Sequence, residues 1–168
     1  IAPPPPAPGG PDLAYGAFQR GFYLTAFEIA IGRAEAGDVK AQTLIGIIYE
    51  GGYGVPQDFT KAFQWYELAA RAGDREAQFA LGMMLLQGRG AVQDRARGAD
   101  FIEMAANQGQ VEAMYNLGLL ILEGAVRQRD PQRAAQLLAA AAESGNPDAQ
   151  YALAQLYAQG LGVRQDDS

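Results

Sequence analysis

Between Ala77 and Gly88 the apolar residues fall on two lines of a single helix. Advancing 100° per residue puts Ala77, Leu81, Met84, Leu85 and Gly88 on one face and Phe79, Met83 and Leu86 on the opposite side. The first face predicts a buried contact with a second helix. The second stripe is more than a half-buried helix needs. The pattern returns 36 residues later, with Tyr115, Leu119 and Leu122 in the second stripe. Small and polar positions keep the same period: Gly37, Gly73, Gly109 and Gly145; Ala41, Ala77, Ala113 and Ala149; Gly52, Gly88, Gly124 and Gly160; Asp58, Asp94, Asp130 and Asp166. A fixed period of this length predicts a solenoid, in which each unit is one supersecondary element and stacking supplies a continuous core.

Each unit reads as two helices. Asp38, Asp74 and Asn146 stand where the first helix needs an N-cap, with side-chain oxygens that accept from free backbone N–H groups; Gln110 is the weak member of the series. Gly52, Gly88, Gly124 and Gly160 stop that helix, and Asp58, Asp94 and Asp130 cap the second, which Gly73, Gly109 and Gly145 close. Pro131 and Pro147 follow their caps at the first helical position, where a missing N–H costs nothing. The units run over 38–73, 74–109 and 110–145, with a partial one over 146–168. A proline-rich linker over 1–11 and an N-terminal capping half-repeat over 12–37 precede them.

A glycine inside a helix costs about 1 kcal/mol relative to alanine, so the recurrence of Gly46, Gly82 and Gly118 predicts close approach of two helices, with Ala154 in the fourth unit. Ala62, Gly98 and Ala134 answer them, and Trp65, Phe101 and Leu137 are expected in the same core. Val126 in place of the second loop glycine, and Gln93 and Arg129 nearby, leave the shape of those loops open. The last predicted helix, 147–159, lacks a second-helix partner. Leu153, Leu156 and Tyr157 are therefore expected to be partly exposed and available for self-association or further repeats.

Three strings, Ala77-Gln78-Phe79-Ala80-Leu81-Gly82, Gly52-Tyr53-Gly54-Val55-Pro56-Gln57-Asp58 and Lys61-Ala62-Phe63-Gln64-Trp65-Tyr66, with Ala69-Ala70-Arg71-Ala72-Gly73, resemble the Sel1-like repeat family over about residues 23–168. That family is similar to tetratricopeptide repeats with a slightly longer unit. The resemblance implies an all-α fold, a right-handed superhelical α/α solenoid of Sel1-like helix-turn-helix repeats. It also implies an adaptor role in signalling, secretion, envelope assembly or quality control. In tetratricopeptide repeats the first helices line the inner surface and bind peptides there.

On that resemblance the second stripe, Phe79, Met83, Leu86, Tyr115, Leu119 and Leu122, lines a concave groove; packing between neighbouring units is the plainer account of the same residues. Glu76, Glu112 and Asp148 lie beside the stripe, with Glu50 and Glu123 one to two turns on. A groove apolar in the middle and negative at its rim favours a protein or peptide partner with apolar anchors and Lys or Arg flanks.

Charge narrows the partners further. A net charge of −6, with Lys40 and Lys61 the only lysines, argues against nucleic acid, which demands a basic face. No run approaches the roughly 18 apolar residues of a membrane span. Histidine and cysteine are both absent, which removes Ser–His–Asp and Cys–His machinery, most zinc sites and every disulfide. No catalytic residue, cofactor or metal is expected. Glu76 with Glu112 is the one acid pair that repeat geometry brings to adjacent helices, and no nucleophile with an activating base accompanies it. The reading is a non-enzymatic interaction scaffold. The alternatives are a repeat module of a larger envelope or signalling protein and a carboxylate-based hydrolase. The compartment stays open, the linker-like start tilting toward an exported bacterial protein.

Overall fold

A computed structural model describes residues 12–162; the proline-rich residues 1–11 and the acidic end Asp166-Asp167-Ser168 lie outside the described residues. The described residues form nine helices and no strand: α1 (Leu13–Gln19), α2 (Tyr23–Glu35), α3 (Val39–Gly51), α4 (Phe59–Arg71), α5 (Arg75–Gln87), α6 (Arg95–Asn107), α7 (Val111–Glu123), α8 (Pro131–Glu143) and α9 (Pro147–Gln159).

The expected caps are all made. Asp38, Asp74 and Asn146 accept from the backbone N–H of Ala41, Ala77 and Ala149, and Asp58, Asp94 and Asp130 do the same for the second helices. Gly52, Gly88, Gly124 and Gly160 close the first helices with φ between 64° and 74°, a left-handed conformation open to glycine at no steric cost. The loops left open by the sequence find one solution. Gln57 Nε2 donates to the Glu50 carbonyl at 2.8 Å, Gln93 Nε2 to Leu86 at 2.7 Å and Arg129 Nε to Leu122 at 3.3 Å. The residue before each capping aspartate thus satisfies a free carbonyl at the end of the preceding helix.

The seam within each unit is a large side chain set into a small one. A Cβ on Gly46 would stand 2.6 Å from the Tyr66 ring, one on Gly82 2.7 Å from Ile102 Cγ1, and one on Gly118 3.1 Å from Leu138 Cγ. Tyr66, Ile102 and Leu138 are each at most 1% exposed. This corrects the expectation for Trp65, Phe101 and Leu137, which are half-buried and pack on the preceding cluster instead. The residues of each pair 65/66, 101/102 and 137/138 are both apolar, and the one that enters the seam is the one lying over the facing glycine.

Helices pack chiefly on their neighbours in the chain. Side-chain bonds stitch the units: Gln42 and Gln78 Nε2 each donate at 3.2 Å to a carbonyl at the end of the preceding second helix, and Thr43 Oγ1 donates to Asp74 at 2.9 Å. Second helices are joined by ion pairs thirty residues apart, Arg97–Glu67 and Arg133–Glu103, both 2.7 Å. At Glu67 burial opposes ionisation, but hydrogen bonds from Arg97 and Arg71 outweigh it; at Glu103 the bond from Arg133 leads, with Arg127 adding to it against burial. Both carboxyls are held below the ordinary 4.5. A carboxyl lowered on folding stabilises the native state above the unfolded pKa and ceases to do so as pH falls through the folded one. The melting-temperature gap between the wild type and Glu67→Gln/Glu103→Gln should therefore be full at pH 6 and shrink progressively below about pH 4.3. A gap unchanged down to pH 2 would discount these pairs.

Candidate functional site

The second stripe of α5 and α7 lies largely between units. Phe79, Met83 and Leu86 are half-buried against the cluster built from Ile102, Ala105, Leu117 and Ile121. Tyr115 and Leu122 pack in the same way on Ala135, Leu138 and Leu156. Leu119 stands out at 36% exposed. Stacking thus takes one side of each of these half-buried side chains and leaves the other accessible.

The acids beside the stripe divide into two groups. Tyr66 Oη donates to Glu50 at 2.6 Å, and Arg89 approaches the same carboxylate at 3.7 Å. Burial, then the charge and hydrogen bond of Glu50, push the Tyr66 hydroxyl well above the usual tyrosine range. Glu123 is bound by Arg95 Nη2 at 2.9 Å. Glu50 and Glu123 are therefore committed to partners inside the chain.

Glu76, Glu112 and Asp148 are exposed, Glu76 with the Arg75 Nε 3.6 Å from its carboxylate, and a residue read as a weak cap organises the first two. Gln110 is 4% exposed; its Oε1 accepts from the Ala113 N–H at 2.6 Å, while its Nε2 donates to Glu112 at 2.8 Å and to Glu76 at 3.2 Å. An aspartate or asparagine in that position caps with a shorter side chain. Glutamine caps and still reaches both carboxylates, which holds the acid pair across the junction of α5 and α7. The signal in the sequence was the break in the Asp/Asn series itself. Asp148 stands one repeat further on, at the start of α9. Lys40 is exposed at the matching position of α3, and Asn116 turns its amide onto the Glu112 carbonyl at 2.8 Å.

At the end of the stack Leu153 is half-buried and Tyr157 is 42% exposed, as expected, but Leu156 is only 5% exposed. It turns back onto Leu138 and Ala141 of α8, so the uncovered face of α9 is narrower than its sequence suggests. Ala154 and Tyr151, the latter 68% exposed, complete it.

The carboxyls displaced from their ordinary range move downward. Asp38, like Glu67 and Glu103, is lowered despite burial by hydrogen bonds, here from the Ala41 N–H and Arg33. A general acid needs the opposite displacement. Burial, with the charges of Asp74, Asp12 and Glu76, pushes the Tyr15 hydroxyl up to about 12, out of range for proton transfer near neutrality. Among the described residues no three His, Cys, Asp or Glu side chains converge, and no helix is long and apolar enough to cross a membrane.

Comparison with known proteins places this arrangement. The family model described as Sel1 repeat matches residues 39–74, 75–110, 111–146 and 147–168. A Sel1 repeat protein from Oxalobacter formigenes superposes with a TM-score of 0.83 at 31% identity, over 91% of this chain and 63% of that one. The protein c5321, a protective antigen present in uropathogenic Escherichia coli strains and displaying an SLR fold, gives 0.82 at 32% identity, over 92% of this chain and 35% of that one. Cysteine rich protein B of Helicobacter pylori shares the fold, with a TM-score of 0.58 at 18% identity over 83% of this chain and 94% of that one. No curated protein matches the sequence.

Proposed function

Because the chain belongs to the Sel1 repeat family, whose members are generally protein-interaction scaffolds, we propose that it is a non-enzymatic adaptor. Its partner is a protein or peptide segment carrying apolar anchors and basic flanks. The anchors lie along the accessible sides of Phe79, Met83, Leu86, Tyr115, Leu119 and Leu122, and the flanks meet Glu76, Glu112 and Asp148. The observation that carries the reading is the acid pair fixed by buried Gln110 beside a stripe that stacking only half covers. Fixed acids cost the partner no ordering of the receptor side chains, and they act mainly on encounter rate and partner choice. The second reading is a repeat module of a larger envelope or signalling protein; the chain spans 63% and 35% of the two Sel1-type structures it matches at above 30% identity.

Charge reversal tests the first reading. With a fluorescein-labelled Lys-Leu-Leu-Lys-Leu-Lys peptide, Glu76→Lys/Glu112→Lys should weaken binding at least tenfold and flatten its salt dependence, with far-UV helicity unchanged. Equal affinity for the wild type and the double variant would remove the acid rim from the proposal.

A further inference from the structure

The row of first-turn charges changes sign at one end. Residues 40, 76, 112 and 148 hold the same place in α3, α5, α7 and α9 and read Lys, Glu, Glu and Asp. All four are exposed. The three acids sit where the free N–H groups of a helix favour negative charge, whereas Lys40 sets a positive one against the α3 dipole. Nothing compensates it: among the described residues Lys40 enters no ion pair. The other lysine, Lys61, lies over the Tyr49 ring at 5.3 Å. The start of α3 faces the same surface as the start of α5. Thr43, one turn beyond Lys40, donates to Asp74 at 2.9 Å, and Tyr15 of α1 feels the charges of Asp74 and Glu76. Thr43 also stands where the next units carry the anchors Phe79 and Tyr115, so the first unit offers the groove a cation and no aromatic ring.

We propose that Lys40 fixes the register of the partner in the acid-rimmed groove. The occupant is an extended protein segment with one acidic residue at its end, followed by basic residues at alternate positions. This rests on the adaptor reading given above and adds which charge of the partner meets which unit. Glu76 and Glu112 share Gln110 Nε2, at 3.2 and 2.8 Å, so their carboxylates stand within two hydrogen-bond lengths of each other. Alternate residues of an extended chain are about 6.6 Å apart, which brings one basic side chain to each acid. A carboxylate one step earlier meets Lys40. A shift by one unit in either direction puts like charges together, acid on Glu76 or base on Lys40. Register is then selected by repulsion as well as by attraction.

Two fluorescein-labelled, C-terminally amidated peptides of equal composition, Glu-Leu-Lys-Leu-Lys and Lys-Leu-Glu-Leu-Lys, separate charge order from net charge. In anisotropy at low salt the wild type should bind the first at least fivefold more tightly. Lys40→Glu gives α3 the first-turn acid that α5 and α7 already carry, so its melting temperature should be no lower than that of the wild type. Its preference between the peptides should fall below about twofold. Lys61→Glu, the same charge change on a second helix, should keep the preference. Equal affinity of the wild type for the two peptides, or a preference that survives Lys40→Glu, overturns the inference and leaves the acid rim standing. Neither peptide binding at 1 mM protein also overturns it, and the adaptor reading falls with it only if Lys-Leu-Leu-Lys-Leu-Lys is unbound as well.

Discussion

Gly82→Val should cost about 3 kcal/mol of stability, although valine is the better helix former. Gly82 sits where α5 and α6 touch backbone to backbone. A Cβ there would stand 2.9 Å from the Gly98 carbonyl oxygen and 3.1 Å from the Ile102 nitrogen, and a Cβ on Gly98 would meet the Gly82 carbonyl at 2.8 Å. Backbone atoms cannot rotate away as a side chain can, so the helices must separate, and the packing of Ile102 and Leu81 is lost along with the contact. A control isolates the cause. Gly32 lies inside α2 with nothing within 4 Å of its would-be Cβ, and Gly32→Ala should stabilise by about 0.5–1 kcal/mol through helix propensity and a less free unfolded chain. Urea denaturation of the two variants measures both signs. A neutral Gly82→Val would mean that the seam is not held by close approach.

Tyr66→Ala should cost about 3–5 kcal/mol, the range for deleting a buried aromatic ring. Tyr66 is 1% exposed, its ring fills the space above Gly46, and its hydroxyl donates to Glu50 at 2.6 Å. Removing the ring leaves a cavity whose walls, α3 and α4, are tied to both neighbours and cannot collapse fully. Tyr66→Phe separates ring from hydroxyl. It keeps the packing and should cost only about 1–2 kcal/mol, because the bond lost ended on a charged acceptor and Glu50, with its side chain 30% exposed, can turn to water. Thermal or chemical denaturation that finds the two substitutions equivalent would move the energy from packing to the hydroxyl.

Helix ends were legible in the sequence because they are local demands. An aspartate that can accept from a free N–H, and a glycine that can turn left-handed, signal themselves without any partner. Pairing across the seam was less legible. Trp65 and Tyr66 are adjacent, both aromatic, and about 100° apart on one helix; only Gly46 opposite selects Tyr66. The candidate site divides in the same way. The acids could be named from their period, but their coupling runs through Gln110, whose role depends on reach and burial rather than residue class.

Packing chiefly between successive helices has a consequence for how the chain reaches this structure. Contacts that close over one helix pair require short loops, and short loops cost little chain entropy to form. Low contact order of this kind goes with fast folding. Any unit can nucleate, and each unit that forms offers a finished face to the next. The ordering of the array is then a matter of propagation from within, with pairs joined on both sides, α5 and α6 among them, opening last.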